Sequence, residues 1–187
     1  MEKFSYFNIK PAKQIIPVIL FAMATFICPS CENHDGLLEE SGSGIEIYLL
    51  NDYSTVTGEG QIIDESSIRT KPAPLVYYSE IISYDDDTHT IEFTRSAADK
   101  IFGLNAPTNG KAFAIMVNRE LIYTGYFWPL YSSATCNWPT IDPIPLHSGV
   151  KAKINLGYPG DFGAEKITDR RNDSRIIAIL SRDGKLR

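Results

Sequence analysis

The residues able to do chemistry in this chain are scattered, and each set falls short of a known constellation. Asp85, Asp86 and Asp87 could offer oxygen ligands to Ca²⁺. They stand consecutively, however, without the Asp-x-Asp-x-Asp-Gly spacing and the twelfth-position Glu that wrap a calcium ion, so a solvated turn is the expectation. His34, His89 and His147 have no ligand partner at zinc spacing. Cys136, beside Trp138 and Pro139, reads as a buried apolar filler rather than a nucleophile. Ser132-Ser133 and Ser148-Gly149 lack the Gly-x-Ser-x-Gly elbow of a hydrolase. Gly157-Tyr158-Pro159-Gly160-Asp161-Phe162-Gly163 is glycine-rich, but no Lys-Ser or Lys-Thr follows to hold a phosphate. Glu165 and Asp169 lie four apart, a spacing common on any acidic surface. Neither a metal nor a cofactor is implied, and no catalytic residue is assigned.

The feature with functional pull is aromatic. Tyr123, Tyr126, Phe127, Trp128, Tyr131 and Trp138 crowd into residues 123–138. Flat rings with polar handles are what sugar rings and peptides stack on. Trp138, Tyr131 and Trp128 are therefore the candidate ligand-binding residues. The competing reading is core, because Tyr126 and Trp128 share a parity with Leu130 along an extended path. Trp128, flanked by aromatics and Pro129, is expected to be mainly buried; Trp138, in an irregular proline-rich segment, is expected to show a face.

The elements that must position these residues are concentrated in residues 79–138, which read as strand, strand, helix, strand, strand. Residues 80–84 and 90–93 are strand patterns joined by the Asp-rich turn. Thr94 suits an N-cap, with Ala97, Ala98 and Ile101 on the inner face and Gly103 as the stop. Residues 112–117 are almost continuously apolar, the mark of a central strand. Asn118-Arg119 then makes a two-residue hairpin into residues 120–123. Upstream, residues 45–50 are a strand and residues 61–63 a short edge strand. Lys71-Pro72-Ala73-Pro74 must be extended, since neither proline can donate to a ladder. Downstream, prolines make residues 129–145 irregular, residues 150–156 alternate as a late strand, and residues 174–182 carry one apolar stripe of a C-terminal helix. The expected fold class is α+β: a small antiparallel or mixed sheet with a short central helix and a C-terminal helix.

The N-terminus is a targeting segment. Lys3, Lys10 and Lys13 precede an apolar stretch at residues 15–28, too short to span a bilayer, where about 20 residues are needed. Ser30 stands directly before Cys31, whereas the rival Cys28 follows the bulky Ile27. The segment resembles a bacterial lipoprotein signal, in which the cysteine is acylated and becomes the new N-terminus; the relaxed lipobox with Glu32 after it is similar to those of Bacteroidetes lipoproteins. An uncleaved anchor or an ordinary secretory signal is the alternative. The division expected is a signal peptide at residues 1–30, a flexible acidic and Ser-Gly tether at 31–44 and a single α+β domain at 45–187. With Cys31 lipidated and Cys28 discarded, Cys136 has no partner for a disulfide. Loss of residues 1–30 removes three Lys and one Glu, which moves the net charge from −5 to −7. That balance argues against nucleic acid.

Two resemblances extend this. Residues 90–126, about a fifth of the chain, resemble part of the periplasmic head domain of the bacterial export protein SecD. The matching phrases are Glu92-Phe93-Thr94-Arg95-Ser96-Ala97, then Gly110-Lys111 with the apolar strand to Val117, then Asn118-Arg119-Glu120-Leu121-Ile122. The chain departs from that family at Arg95-Ser96, at the hairpin turn and after Tyr126. The resemblance implies a fold and not transport, because the family's ion-coupling transmembrane helices have no counterpart here. The phrases around Tyr84-Asp85, Tyr123 to Pro129 and Cys136-Asn137-Trp138 are also similar to uncharacterised Bacteroidetes lipoproteins. The reading that follows is a cell-envelope protein, lipid-anchored through Cys31 at the outer membrane. It serves as a non-enzymatic binding or accessory module for a protein, peptide or glycan. The alternative is an envelope hydrolase whose site has no recognisable motif.

Overall fold

The computed structural model describes residues 44–187 and the terminal Met1; the expected signal peptide beyond Met1, the expected tether up to residue 43 and Cys31 lie outside the described residues. Ten elements follow in order: β1 (Ile45–Asp52), β2 (Arg69–Thr70), β3 (Ile81–Asp85), β4 (Thr90–Phe93), α1 (Arg95–Phe102), β5 (Lys111–Val117), β6 (Glu120–Phe127), β7 (Thr140–Ile141), β8 (Lys151–Asn155) and α2 (Ser174–Arg182). Single 3₁₀ turns lie at Tyr78–Glu80, Ile144–His147 and Ala164–Lys166. The eight strands form one mixed sheet in the order β2-β1-β5-β6-β7-β8-β4-β3, and the architecture is α+β. Among the strand pairs of the described residues β6–β7 alone is parallel, and an isolated parallel bridge joins Tyr84 to Leu186. Among the described residues no helix is long and apolar enough to cross a membrane.

Local chemistry accounts for the clearest elements. Thr94 caps α1, its hydroxyl accepting from the Ala97 amide at 3.2 Å, and Ala97, Ala98 and Ile101 are buried. Asn118 and Arg119 both take left-handed backbone (φ 49° and 68°). That is the turn whose twist matches a two-residue hairpin, and Val117 and Glu120 close it. Asn118 also holds the start of β1: its Oδ1 accepts from the Gly44 amide at 3.0 Å, and its own amide donates to the Gly44 carbonyl at 2.9 Å. Asp173 caps α2, which buries Ile176, Ile179 and Leu180. Gly103 does not act through a left-handed reversal; it is right-handed at φ −64°, and the reversal falls two residues on, at Asn105 (φ 46°).

Period-2 alternation sends side chains to the two faces of the sheet. Ile47, Phe113, Ile115, Phe127, Ile141 and Ile154 share one core with α1 and α2. Leu50, Ala112, Ala114, Tyr126, Trp128, Cys136 and Trp138 form a second core on the other face, covered by loop residues Ile62, Ile63, Ile68, Tyr158 and Ile167. Burial on both faces explains why β5 reads as continuous apolar sequence.

Three expectations are corrected. The 79–138 stretch is not one contiguous unit: β7 and β8 insert between the β5–β6 and β4–β3 hairpins, so α1 carries the chain across the sheet. Residues 61–63 make no strand; Ile63 forms an isolated bridge to Thr55. The proline-rich segment is less irregular than expected, because Thr140–Ile141 pairs with both β6 and β8. Both outer margins are occupied. Beyond β1, the Lys71 amide donates to the Leu49 carbonyl and the Leu75 amide to the Ile47 carbonyl, each at 2.8 Å. Beyond β3, the Tyr84 amide donates to the Lys185 carbonyl at 2.8 Å and the Arg187 amide to the Tyr84 carbonyl at 2.9 Å.

Candidate functional site

The three candidate aromatic residues part company. Trp128 is 1% exposed and Trp138 8%, whereas Tyr131 is 63% exposed. The burial of Trp128 agrees with its flanks; its indole packs edge-on to Tyr126 at 5.9 Å and lies over Gly110. The expectation that Trp138 shows a face is corrected. Residues 136–141 are not free loop: Cys136 and Tyr158 exchange backbone bonds at 2.8 and 2.7 Å, and the Tyr126 and Trp128 amides donate to the Pro139 and Ile141 carbonyls. Held alongside β6, Trp138 turns inward and donates its Nε1–H to Thr124 Oγ1 at 2.9 Å.

Thr124 belongs to a network that sequence gives no sign of. Before β7 begins, the outer edge of β6 has no strand beside it. Glu65 and Arg170 take the strand's place. Glu65 Oε1 accepts from the Thr124 amide at 2.9 Å, as a partner carbonyl would, and Arg170 donates to the Ile122 carbonyl at 2.6 Å, as a partner amide would. The two are joined by a pair of 2.7 Å bonds. Ile122 is the extra residue of a bulge in β6, between the Ile115–Tyr123 and Met116–Leu121 pairs.

Tyr131 sits on a tight turn in which the Ser132 amide donates to the Pro129 carbonyl at 2.9 Å. Every part of the turn is tied down. The Leu130 amide donates to Asp142 Oδ1 at 3.2 Å and its carbonyl accepts from the Tyr158 hydroxyl at 2.6 Å. The Tyr131 hydroxyl donates to the Ala106 carbonyl at 3.2 Å, and the buried Ser132 hydroxyl to the Thr108 carbonyl at 2.6 Å. The 105–110 loop and the 129–132 turn are thus sewn into one rim. Leu130 is 63% exposed and, with Tyr131, stands out from it.

A separate cleft of about 360 Å³ opens between Gly58, Glu59, Gly60 and Gln61 on one side and Phe162, Gly163, Glu165 and Lys166 on the other. Asn137 fastens its floor, accepting from the Gln61 amide and donating to the Glu59 carbonyl, both at 2.8 Å. Gly60 and Gly163 are left-handed, and a Cβ on either would lie 2.7–2.8 Å from Asn137, so only glycine lets these loops close on it. Under the helices lies an apolar cavity of about 20 Å³, room for one water and no ligand.

The remaining candidates are accounted for structurally. Asp85 Oδ1 accepts from the Thr88 amide at 2.7 Å, which is turn chemistry. No group of acids, histidines and cysteines among the described residues is placed to hold a metal ion. The His89 Nδ1 lies 3.1 Å from the Tyr84 hydroxyl, which also donates to Asn172 Oδ1 at 3.0 Å. Burial pushes the Tyr84 phenol up. It pushes the Cys136 thiol up to about 12, which keeps it protonated and inert as a nucleophile. Glu165 and Asp169 diverge: Glu165 lines the cleft, while Asp169 is bound by Arg171, whose guanidinium holds its carboxyl below the ordinary range. Comparison of the chain with protein-family models, with curated proteins and with solved structures finds no match, and the site rests on its own geometry.

Proposed function

We propose that this chain is a lipid-anchored, non-catalytic binding module of the cell envelope, held at the outer membrane through Cys31, with the Leu130–Tyr131 turn as its ligand-facing surface. The observation that carries the reading is the polarity of the β5–β6 hairpin. Gly44, the last residue before β1, is hydrogen-bonded to Asn118 at one end of the hairpin. Lys111 pairs with Phe127 at the other end, and Leu130 and Tyr131 follow. Six residue steps at about 3.4 Å separate the two ends, roughly 20 Å. Gly44, where the domain meets the segment that carries Cys31, and the exposed turn therefore lie at opposite ends of the hairpin. The protonated, buried Cys136 thiol weighs against a cysteine hydrolase.

Two measurements test the reading. Cys31→Ala should abolish acylation seen by mass spectrometry, while Cys28→Ala should leave it intact; acyl chains on Cys28, or on neither, would remove the anchor. A photo-crosslinking side chain at position 131 should capture an envelope component in cells, and the same group at position 119 should not. Equal capture at the two positions, or none at 131, would remove the turn as the binding surface.

A further inference from the structure

We infer that the ligand of the Leu130–Tyr131 rim is a neutral saccharide, stacked on the Tyr131 ring and met by the side chains around it; this rests on the reading of the turn as the binding surface. The first ground is charge. Residues 101–110 and 127–141, which supply the whole rim, contain no Asp, Glu, Lys, Arg or His, although the chain carries 18 basic and 23 acidic residues. The acid bonded to the turn, Asp142, is directed at backbone: one oxygen accepts from the Leu130 and Ile144 amides at 3.2 and 3.0 Å. The segments that form the rim thus bring no charged side chain of their own to a ligand. The cleft at Asn137 differs here, being flanked by Glu59, Glu165 and Lys166.

The second ground is pre-organisation. An exposed tyrosine ordinarily loses rotamer freedom when a ligand lies on it. The bond from its hydroxyl to the Ala106 carbonyl fixes Tyr131 before anything binds, and the bonds to Leu130 and Ser132 fix the backbone beneath. A ring so held, with most of its surface open, is a stacking platform for the C–H face of a pyranose. The exposed neighbours Asn105, Thr108, Asn109, Ser133 and Thr135 bring amides and hydroxyls, the groups that exchange hydrogen bonds with sugar hydroxyls.

The third ground is area. A stable protein interface buries about 800 Å² on each partner around an apolar centre. Here the large exposed apolar groups of the rim are Leu130 and Tyr131, set among small polar residues. An aromatic side chain buries about 150–250 Å² at most, which matches one or two sugar rings and not a protein partner.

The test uses the full-length chain in detergent micelles, titrated by calorimetry with maltohexaose, cellohexaose and mannohexaose, and with hexagalacturonate as the charged counterpart. At least one neutral hexasaccharide should bind, with a Kd unchanged between low and high NaCl. Tyr131→Ala should weaken it about tenfold or more, whereas Tyr131→Phe, which keeps the ring, should stay within about threefold. Leu130→Ala should weaken it less than Tyr131→Ala, and it serves as the second variant should the latter fold poorly. Binding of no neutral sugar overturns the inference, as does preference for hexagalacturonate with salt-sensitive affinity, or a Kd indifferent to positions 130 and 131. The crosslinking at position 131 separates the two levels: a protein adduct without sugar binding retires the saccharide alone, and no adduct retires both.

Discussion

Replacing Glu65 by alanine should destabilise the domain out of proportion to the residue's place on a surface loop. The carboxylate accepts four hydrogen bonds, from the Thr124 amide, the Thr124 hydroxyl and twice from Arg170. Thr124 is fully buried beneath Glu65, so its N–H would lose the partner that satisfies it. An orphaned buried donor costs about 1–3 kcal/mol. The ion pair adds less, because the Glu65 and Arg170 side chains keep 23% and 32% of their exposure; a screened pair is worth about 0–1 kcal/mol. The expected loss is thus about 1–4 kcal/mol, which for a domain of this size lowers Tm by about 3–15 °C. Urea unfolding followed by indole fluorescence measures it directly, since both tryptophans are buried. Arg170→Ala should be milder, and the double variant should lose less than the two single losses added. A Glu65→Ala chain within about 0.5 kcal/mol of wild type would refute the claim that the pair stands in for a strand beside β6.

Gly110→Ala should also destabilise, by about 1–3 kcal/mol or more: the backbone there is left-handed (φ 78°), and a Cβ would lie 2.6 Å from the buried Trp128 ring. A thermal midpoint equal to wild type would contradict that placement of the indole. Acid should weaken the start of α2. The Arg175 guanidinium holds the Asp173 carboxyl down to about 2, below the unfolded value of about 3.9. A depressed carboxyl contributes stability that is complete above the unfolded value and disappears as pH falls through the folded one. Stability should therefore drop between about pH 4 and pH 2, and Asp173→Asn, which keeps the capping oxygen but not the charge, should flatten part of that drop in a pH series of melts.

Much of the fold was legible because it is locally encoded. Thr94 capping an Ala-Ala-Ile face, Asn118 in a two-residue hairpin and the alternation read over residues 150–156 each act within a few positions, and each element forms, the last one residue shorter at each end. What could not be read is what joins distant residues. Trp138 was expected at the surface because prolines flank it; its burial depends on backbone bonds from residues 136–141 to β6 and Tyr158. Glu65 and Arg170 carry no motif, since an ion pair between residues this far apart leaves no periodicity to detect. Tyr131 was read as a candidate from its aromatic neighbours and is exposed, but its rigidity comes from Ala106, to which nothing in either local sequence points.

The strand order also governs how the molecule can assemble. Within the sheet, only β3–β4 and β5–β6 join strands linked by a tight turn. The β6–β7 and β7–β8 contacts close connections of twelve and nine residues, but Ile47 with Ile115, Ile91 with Ala152 and Tyr84 with Leu186 each close a long loop of chain. Two hairpins can form early and independently, but neither finds its neighbours until the chain between and beyond them has arrived. High contact order of this kind places folding in the millisecond-to-second range, roughly, rather than the microseconds of a helical bundle. The sheet therefore cannot be halved: removing the residues that lie along β3 or those that lie along β1 would leave a strand margin bare and a core half closed. Little of the tertiary structure can therefore form while only part of the chain is present.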